Sequence, residues 1–329
     1  MNIALVLNTR SREDEFQVEF DPPHTIELIR HGIEAAGFGY VFIEADEDVA
    51  EKLKQVRPDL VFNRSEGLRG ESRESHIPAI LEMLGIPYIG SGPGTLALCL
   101  NKSWTKVHVG AAGINTPEHY VIASSAEAER CSPSFPVILK PNAEGSSIGI
   151  NADNVVHDRV AFLQKAAQLF SQYNREILVE GFVSGREISV GVLQQPDGEM
   201  EVFPLLEVDF SRMPSSVGNV FGQVAKTVYD DLSNYVCPAR LDEDLEKALT
   251  DEARAVCRVL NIRDFARFDF RVDALGRIWF LEINPLPGMD YDESVQDFSF
   301  YTLMAFRAGY SYDSLIAALI SSARRRYGL

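Results

Sequence analysis

At 329 residues the chain is too long for one ordinary domain and suggests two or three, and 46% hydrophobic residues are ample for buried cores. A formal charge of −17 argues against nucleic acid and anionic membranes as partners, so a bound polyanion needs a local gathering of basic residues. No apolar run approaches the roughly 20 residues of a membrane span, the N-terminal MNIALVLNTR has no basic leader region, and Cys99, Cys131, Cys237 and Cys257 form no CxxC pair, which points to reduced thiols in a cytoplasm.

IALVLN (3–8) reads as a short strand, and HTIELIRHGIEAAGF (24–38) as a helix with Ile26, Ile29, Ile33 and Ala36 on one face and an end at Gly37. YVFIEA (40–45) and DLVFNR (59–64) are strands, SHIPAILEMLG (75–85) a helix and IPYIGS (86–91) a strand. This alternation predicts an α/β fold with a parallel, doubly wound sheet over about the first hundred residues. FPVILKPN (135–142) and EILVEGFV (176–183) are strands around a glycine-rich loop and a helix at 158–172. REISVGVLQ (186–194), MEVFPLLEVDF (200–210), DFARFDFRVD (264–273) and RIWFLEINP (277–285) read as long strands, with a helix at 243–260 and a tight turn at LGR (275–277). The stretch 211–233 is rich in Gly, Ser, Asp and Asn without a period, and the arginines of SSARRRYGL read as a solvated helix end.

Chemistry concentrates in three places. Arg267 and Asp269 share a face of one strand, and Glu282 and Asn284 share a face of the next. Paired as a hairpin, Asp269, Glu282 and Asn284 offer three oxygen ligands for Mg²⁺. Each alone reads better as part of an exposed, salt-bridged hairpin face; four on one face, ending in Pro285, Pro287 and Gly288, favour the metal. KPNAEGSSIGI (140–150) delivers Lys140 and a loop of Glu144, Gly145, Ser146, Ser147 and Gly149, whose backbone N–H groups suit phosphate. Neither GxxxxGK[ST] nor GxGxxG is present, and alone this is a common Gly/Ser loop. In ILVEGFVSGRE (177–187) the run Glu180, Gly181, Phe182, Val183 can present backbone groups to an adenine edge and Glu187 a carboxylate to ribose, or serve as a plain hinge. The six histidines lack metal spacing and no GxSxG occurs, so acyl-enzyme chemistry has no support.

In this order these blocks resemble the ATP-grasp superfamily, and more closely its D-alanine–D-alanine ligase family, from about Asp59 to Asp290. IPYIGSG with LNKSWTK, ILKPNAEGSSIGI, LVEGFVSGREISVGVL and RFDFRVD…WFLEINPLPGM carry the likeness. It implies an N-terminal α/β domain (1–100), a central domain (101–183) and a C-terminal domain with the magnesium hairpin (184–329). It implies ATP and two Mg²⁺, with Mn²⁺ as a substitute, and it allows a homodimer. Lys102 and Lys140 would contact phosphates and adenine. Glu144 and Ser147 would cover the phosphates, and Ser146 of the same loop would belong with Arg267, Lys226 and Gly288 to the catalytic set. Glu180 to Val183 would hold adenine, and Glu187 the ribose. Asp269, Glu282 and Asn284 would bind the metals. Arg267 and the Gly288 backbone would steady the transferred phosphate, and Lys226 would close over it on a mobile loop. The family joins a carboxylate to an amine through an acyl phosphate, and lid closure keeps water away from it.

Departures cluster on the amino-acid side. Glu66 stands where the family has histidine, Thr227 follows Lys226 where it has tyrosine, and Glu293 and Ser294 stand for its hydroxyl–leucine pair. Glu19 or Asp21 would replace its N-terminal acid. Asp290, Asp292, Glu293 and Glu66 are expected to line the substrate pocket, the alternative being that they face solvent and backbone groups complete it. Such acids suit a small amino-acid or peptide substrate with an extra amine, or one lacking a free carboxylate. The expected activity is thus a carbon–nitrogen ligase with an altered substrate. The alternatives are a true D-alanine–D-alanine ligase of peptidoglycan synthesis, a phosphotransferase and a non-catalytic ATP binder; the retained metal set and Arg267 weigh against the last.

Overall fold

The computed structural model describes residues 1–12, 17–292 and 297–329. The chain opens with β1 (Asn2–Leu7), α1 (Pro23–Ala35), β2 (Gly39–Glu44), α2 (Val49–Val56), β3 (Leu60–Asn63), α3 (His76–Leu84), β4 (Tyr88–Ile89) and α4 (Pro93–Leu100). The strands form a parallel sheet in the order β2-β1-β3-β4. The run Ile3–Leu7 is uniformly apolar because helices cover both faces. Ile3, Leu5 and Leu7 pack with Ile29 and Ile33 of α1, while Ala4 and Val6 pack with Leu53 of α2 and Leu81 of α3. The strand expected over 86–91 shortens to Tyr88–Ile89, because Pro87 has no N–H to pair and Gly90 turns at φ +107°.

The central part holds α5 (Lys102–Ala111), β5 (His119–Ile122), α6 (Ser125–Arg130), β6 (Val137–Pro141), β7 (Val155–Val156), α7 (Arg159–Tyr173) and β8 (Ile177–Gly181). Its antiparallel sheet runs β5-β8-β6-β7. Asp158 caps α7 by accepting from the Ala161 N–H at 2.9 Å.

The C-terminal sheet is built from β9 (Arg186–Gln194), β10 (Met200–Val202), β11 (Leu206–Val208), β12 (Tyr235–Val236), β13 (Phe265–Val272) and β14 (Ile278–Asn284), in the order β12-β11-β9-β13-β14 with β10 also on β9. The single strand expected over 200–210 is two, since Pro204 interrupts the ladder. α8 (Gln223–Val228) forms inside the stretch read as aperiodic. α9 (Glu243–Leu260) matches its expected bounds; Asp242 caps it, accepting from Leu245 N–H at 2.9 Å, and it buries Leu249, Ala253, Val256 and Leu260. After the small β15 (Tyr291–Asp292) and β16 (Asp297–Phe298) come α10 (Phe300–Arg307) and α11 (Tyr312–Tyr327). α11 returns to pack on α1, and its arginine run is not simply solvated. Arg326 turns inward to the Tyr88 carbonyl at 3.0 Å and to buried Asp264.

Candidate functional site

A cavity of about 360 Å³ opens where the carboxyl ends of β1 and β3, the loop after β6, α8 and the turn after β14 converge. Ligand crevices lie beyond the carboxyl ends of strands in such sheets. Arg10, Glu66, Lys102, Glu144, Ser146, Lys226, Arg267, Glu282, Asn284 and Gly288 are all in its wall.

The hairpin has the register expected. Arg267 lies opposite Asn284 and Asp269 opposite Glu282, so the four project from one face. A β-bulge after Asp269 leaves Leu281 out of the ladder and in the wall of a neighbouring slot. Arg267 reaches Asp269 at 3.0 Å, and the Ser189 hydroxyl donates to the other Asp269 oxygen at 2.6 Å. The Lys102 ammonium stands 3.8 Å from Glu282 and also donates to the Glu144 carbonyl. Burial opposes charge on Glu282, but Lys102, Lys140, Lys226 and Arg267 together hold its carboxyl below the usual range. Among the described residues no three His, Cys, Asp or Glu side chains gather in a way that could by themselves hold a metal ion. The set is two carboxylates and an amide, all hard oxygen donors. It fits Mg²⁺, which commonly takes one or two carboxylates and completes its shell with phosphate and water.

The neighbouring slot, about 60 Å³, lies between β6 and the segment after β8, with Ile138, Lys140, Ser147, Phe182, Val183, Glu187 and Asp269 around it. Glu180 is buried and bridges two ammonium groups, Lys140 at 2.6 Å and Lys106 at 2.8 Å. Burial works against its charge, yet the two lysines push its pKa down to about 2. Its side chain is thus committed to positioning Lys140. The N–H groups of Gly181 and Phe182 already donate to the Glu118 and Pro136 carbonyls, at 2.9 and 3.0 Å. Glu187 accepts from Arg271 at 2.5 Å, and Arg271 lies 5.8 Å from the Phe182 ring and 5.5 Å from that of Phe210.

The glycine-rich loop and the segment bearing α8 are clasped together. Ser147 donates to the Phe221 carbonyl at 3.1 Å, and Gln223 N–H donates to the Ile150 carbonyl at 2.8 Å. Ser146 and Ser147 hold φ of +47° and +59°, a left-handed pair that costs each residue about 1 kcal/mol and is typical of functional loops. A Cβ on Gly145 would fall 2.1 Å from a Glu19 oxygen, so a larger residue there would have to displace that carboxylate. Lys226 is carried by α8 over the Phe221 ring at 5.3 Å, and burial, aided by Arg267, lowers its ammonium pKa.

The opposite end of the cavity is acidic. Of the two N-terminal acids left open, Asp21 is locked in a buried pair with Arg64 at 2.8 Å, whereas Glu19 lines the cavity and pairs with Arg73 at 2.7 Å. Gly67, at φ +78°, has room for no Cβ against the Arg73 backbone, which brings Arg73 and Glu74 beside Glu66. Glu66 and Glu74 are buried and line the cavity. Asp290 also lines it, held by the Thr25 hydroxyl at 2.5 Å; Asp292 does not. Glu293 and Ser294 lie outside the described residues. Beside Gly288 the described hydroxyl in the wall is Ser299, the cap of α10, followed by Phe300. Sequence reading missed Ser299, Arg73, Glu74, Lys106 and Arg271. The signal for Ser299 was present as a serine before an apolar helix, and that for Lys106 as its spacing of four from Lys102 on one helix face.

Residues 110–321 match the family model described as D-ala D-ala ligase C-terminus. The chain is 30% identical over 327 residues to the D-alanine–D-alanine ligase of Aquifex aeolicus, covering 98% of this chain and 100% of that protein. It is 32% identical over 293 residues to D-alanine–D-alanine ligase B of Pseudomonas putida, covering 88% and 85%. It is also 32% identical over 303 residues to the uncharacterized protein y4sG of Sinorhizobium fredii, covering 90% and 86%. The fold superposes on the crystal structure of D-alanine–D-alanine ligase from Bacillus anthracis complexed with ATP, with a TM-score of 0.73 over the whole of both chains at 20% identity.

Proposed function

The chain belongs to the D-alanine–D-alanine ligase family, and from that premise we propose that it is an ATP-dependent carbon–nitrogen ligase. It joins the carboxylate of one amino acid or peptide to the amine of another. The observation that carries this reading is the hairpin quartet Arg267, Asp269, Glu282 and Asn284 on one face, with Lys102 and Lys226 sharing its cavity. A mere nucleotide binder has no use for such a set.

In this reading Asp269, Glu282 and Asn284 would hold Mg²⁺, which would neutralise charge on phosphate oxygens. Lys140, fixed by Glu180, and Lys102, beside Glu282, supply positive charge to the phosphates. Phe182 and Val183 border the slot for the base, and Glu187 is placed for the ribose. Ser146 and the Gly288 backbone border the point where the carboxylate is activated, and Arg267 stabilises charge as it develops there. Closure of α8 brings Lys226 over the transferred phosphoryl group and excludes water from the acyl phosphate.

The amino-acid end, lined by Glu19, Glu66, Glu74 and Asp290, supports a product other than D-alanyl-D-alanine. Two unit charges about 4 Å apart repel by roughly 4 kcal/mol at an effective dielectric near 20, which disfavours a free substrate carboxylate beside those acids. Near full-length matches to proteins bearing the D-alanine–D-alanine ligase name favour that dipeptide as the second reading. Phosphate release with ATP and Mg²⁺ over a panel of amino acids, with mass spectrometry of the product, decides between them. Efficient D-alanyl-D-alanine formation, with kcat in the ordinary range of about 1–10³ s⁻¹, overturns the altered-substrate reading.

A further inference from the structure

We infer that Glu66 and Glu74 form a subsite for a cationic side chain of the substrate, an ammonium such as that of a diamino acid. The inference rests on the ligase reading and names its substrate class. Glu66 is 8% and Glu74 6% exposed, and both line the cavity that contains Glu282 and Arg267. Nearby positive charge is largely engaged elsewhere. Arg73 pairs with Glu19 at 2.7 Å and Glu144 at 3.3 Å and donates to the Ala143 carbonyl at 3.2 Å. Arg64 is held by Asp21 and the Pro287 carbonyl. Arg175 pairs with Glu144 at 2.8 Å, and Lys102 faces Glu282.

What remains is unbalanced. Glu74 keeps a buried carboxylate oxygen with no hydrogen-bond partner, and among the described residues Glu66 makes no hydrogen bond or ion pair. A buried acid without a partner is costly unless something completes it. The groups facing Glu66 are Glu74, Glu19, Arg64 and Arg73; those facing Glu74 include Glu19, Arg73 and Lys102. Burial and these neighbouring acids push both carboxyls up, Glu74 to about 8. Left alone, both carboxyls therefore favour the protonated form, and an ammonium seated beside them would favour the charged one. Lys102 lies between Glu74 and Glu282, so the subsite adjoins the reaction centre within one cavity.

The test compares ornithine with norvaline, which lacks only the terminal amine, in both enantiomers. Calorimetric titration of the full chain with ADP and Mg²⁺ present gives Kd; phosphate release gives KM and kcat. Ornithine is expected to bind at least ten-fold tighter than norvaline. Glu74→Gln and Glu66→Gln are each expected to erase most of that ratio, acting on Kd and KM more than on kcat. Neither variant leaves a buried charge unpaired, so thermal melts are expected to show both folded. Norvaline binding as tightly as ornithine, no binding by either, or a ratio unchanged in both variants overturns the inference. Phosphate release with norvaline but no ornithine preference sinks it and leaves the ligase standing. A chain that releases no phosphate with any amino acid sinks the ligase reading, whatever the Kd values.

Discussion

Glu180 is the most exacting test of how the nucleotide slot is assembled. It is 2% exposed and bridges Lys106, 1% exposed, and Lys140, 8% exposed. Glu180→Gln would remove the carboxylate that two buried ammonium groups share as their direct partner. Breaking a buried ion pair by removing one partner costs about 3–5 kcal/mol. The lowered acidity gives a second figure: moving from 4.5 to about 2, at roughly 1.36 kcal/mol per pH unit, corresponds to about 3 kcal/mol. The two agree, and full burial calls for no discount for solvent screening. Because the folded pKa is depressed, this stabilisation is present above about pH 4.5 and is lost as pH falls towards 2. The gap between wild type and variant is therefore expected to be full at pH 7 and to narrow below pH 4.5. A chain of several domains need not unfold in one step. Hydrogen exchange of β6 and β8 amides, with urea unfolding by circular dichroism, reads the affected sheet directly. Lys247→Ala, which breaks an exposed pair with Asp251, is the control and should cost about 0.5 kcal/mol or less. A Glu180→Gln loss as small as the control would refute the reasoning.

Arg267→Ala is expected to lower kcat by about 10²–10³ and, because it unpairs the buried Asp269 carboxylate 3.0 Å away, to lower the melting temperature as well; full activity would remove Arg267 from the chemistry. Glu282→Gln should abolish turnover and weaken the Mg²⁺ dependence of nucleotide binding, measured by calorimetry with and without the metal. An unchanged metal dependence would contradict the hairpin assignment. Limited proteolysis within 211–233 should slow when nucleotide and amino acid are both present, as Lys226 closes over the phosphates. Equal cleavage with and without ligands would count against a closing lid.

The hairpin was legible because strand periodicity is strict. Once Arg267/Asp269 and Glu282/Asn284 are read as strand pairs, the pleat puts all four on one face, and the register does so. α9 was legible at both ends, since Asp242 caps it and Asn261 closes it in the left-handed region. Pro204 was visible too, but the surrounding apolar run outweighed it. Glu74 and Arg73 lie in GESRES, a stretch without a period, and their burial comes from distant segments at Glu19 and Glu144. Lys106 reads as the polar face of a helix until β8 brings Glu180 against it. Buried charges are specified by partners far along the chain, which no local pattern reports.

The central claim is that ATP drives formation of a carbon–nitrogen bond. It is tested most directly by incubating the purified chain with ATP, Mg²⁺ and paired amino acids, with phosphate quantified and the product weighed by mass spectrometry. The expected result is one phosphate released for each new amide, with cationic amino acids turned over better than D-alanine, and no release after chelation of the metal. Phosphate or ADP formed without any amide product, or no nucleotide turnover with any pair, would contradict it.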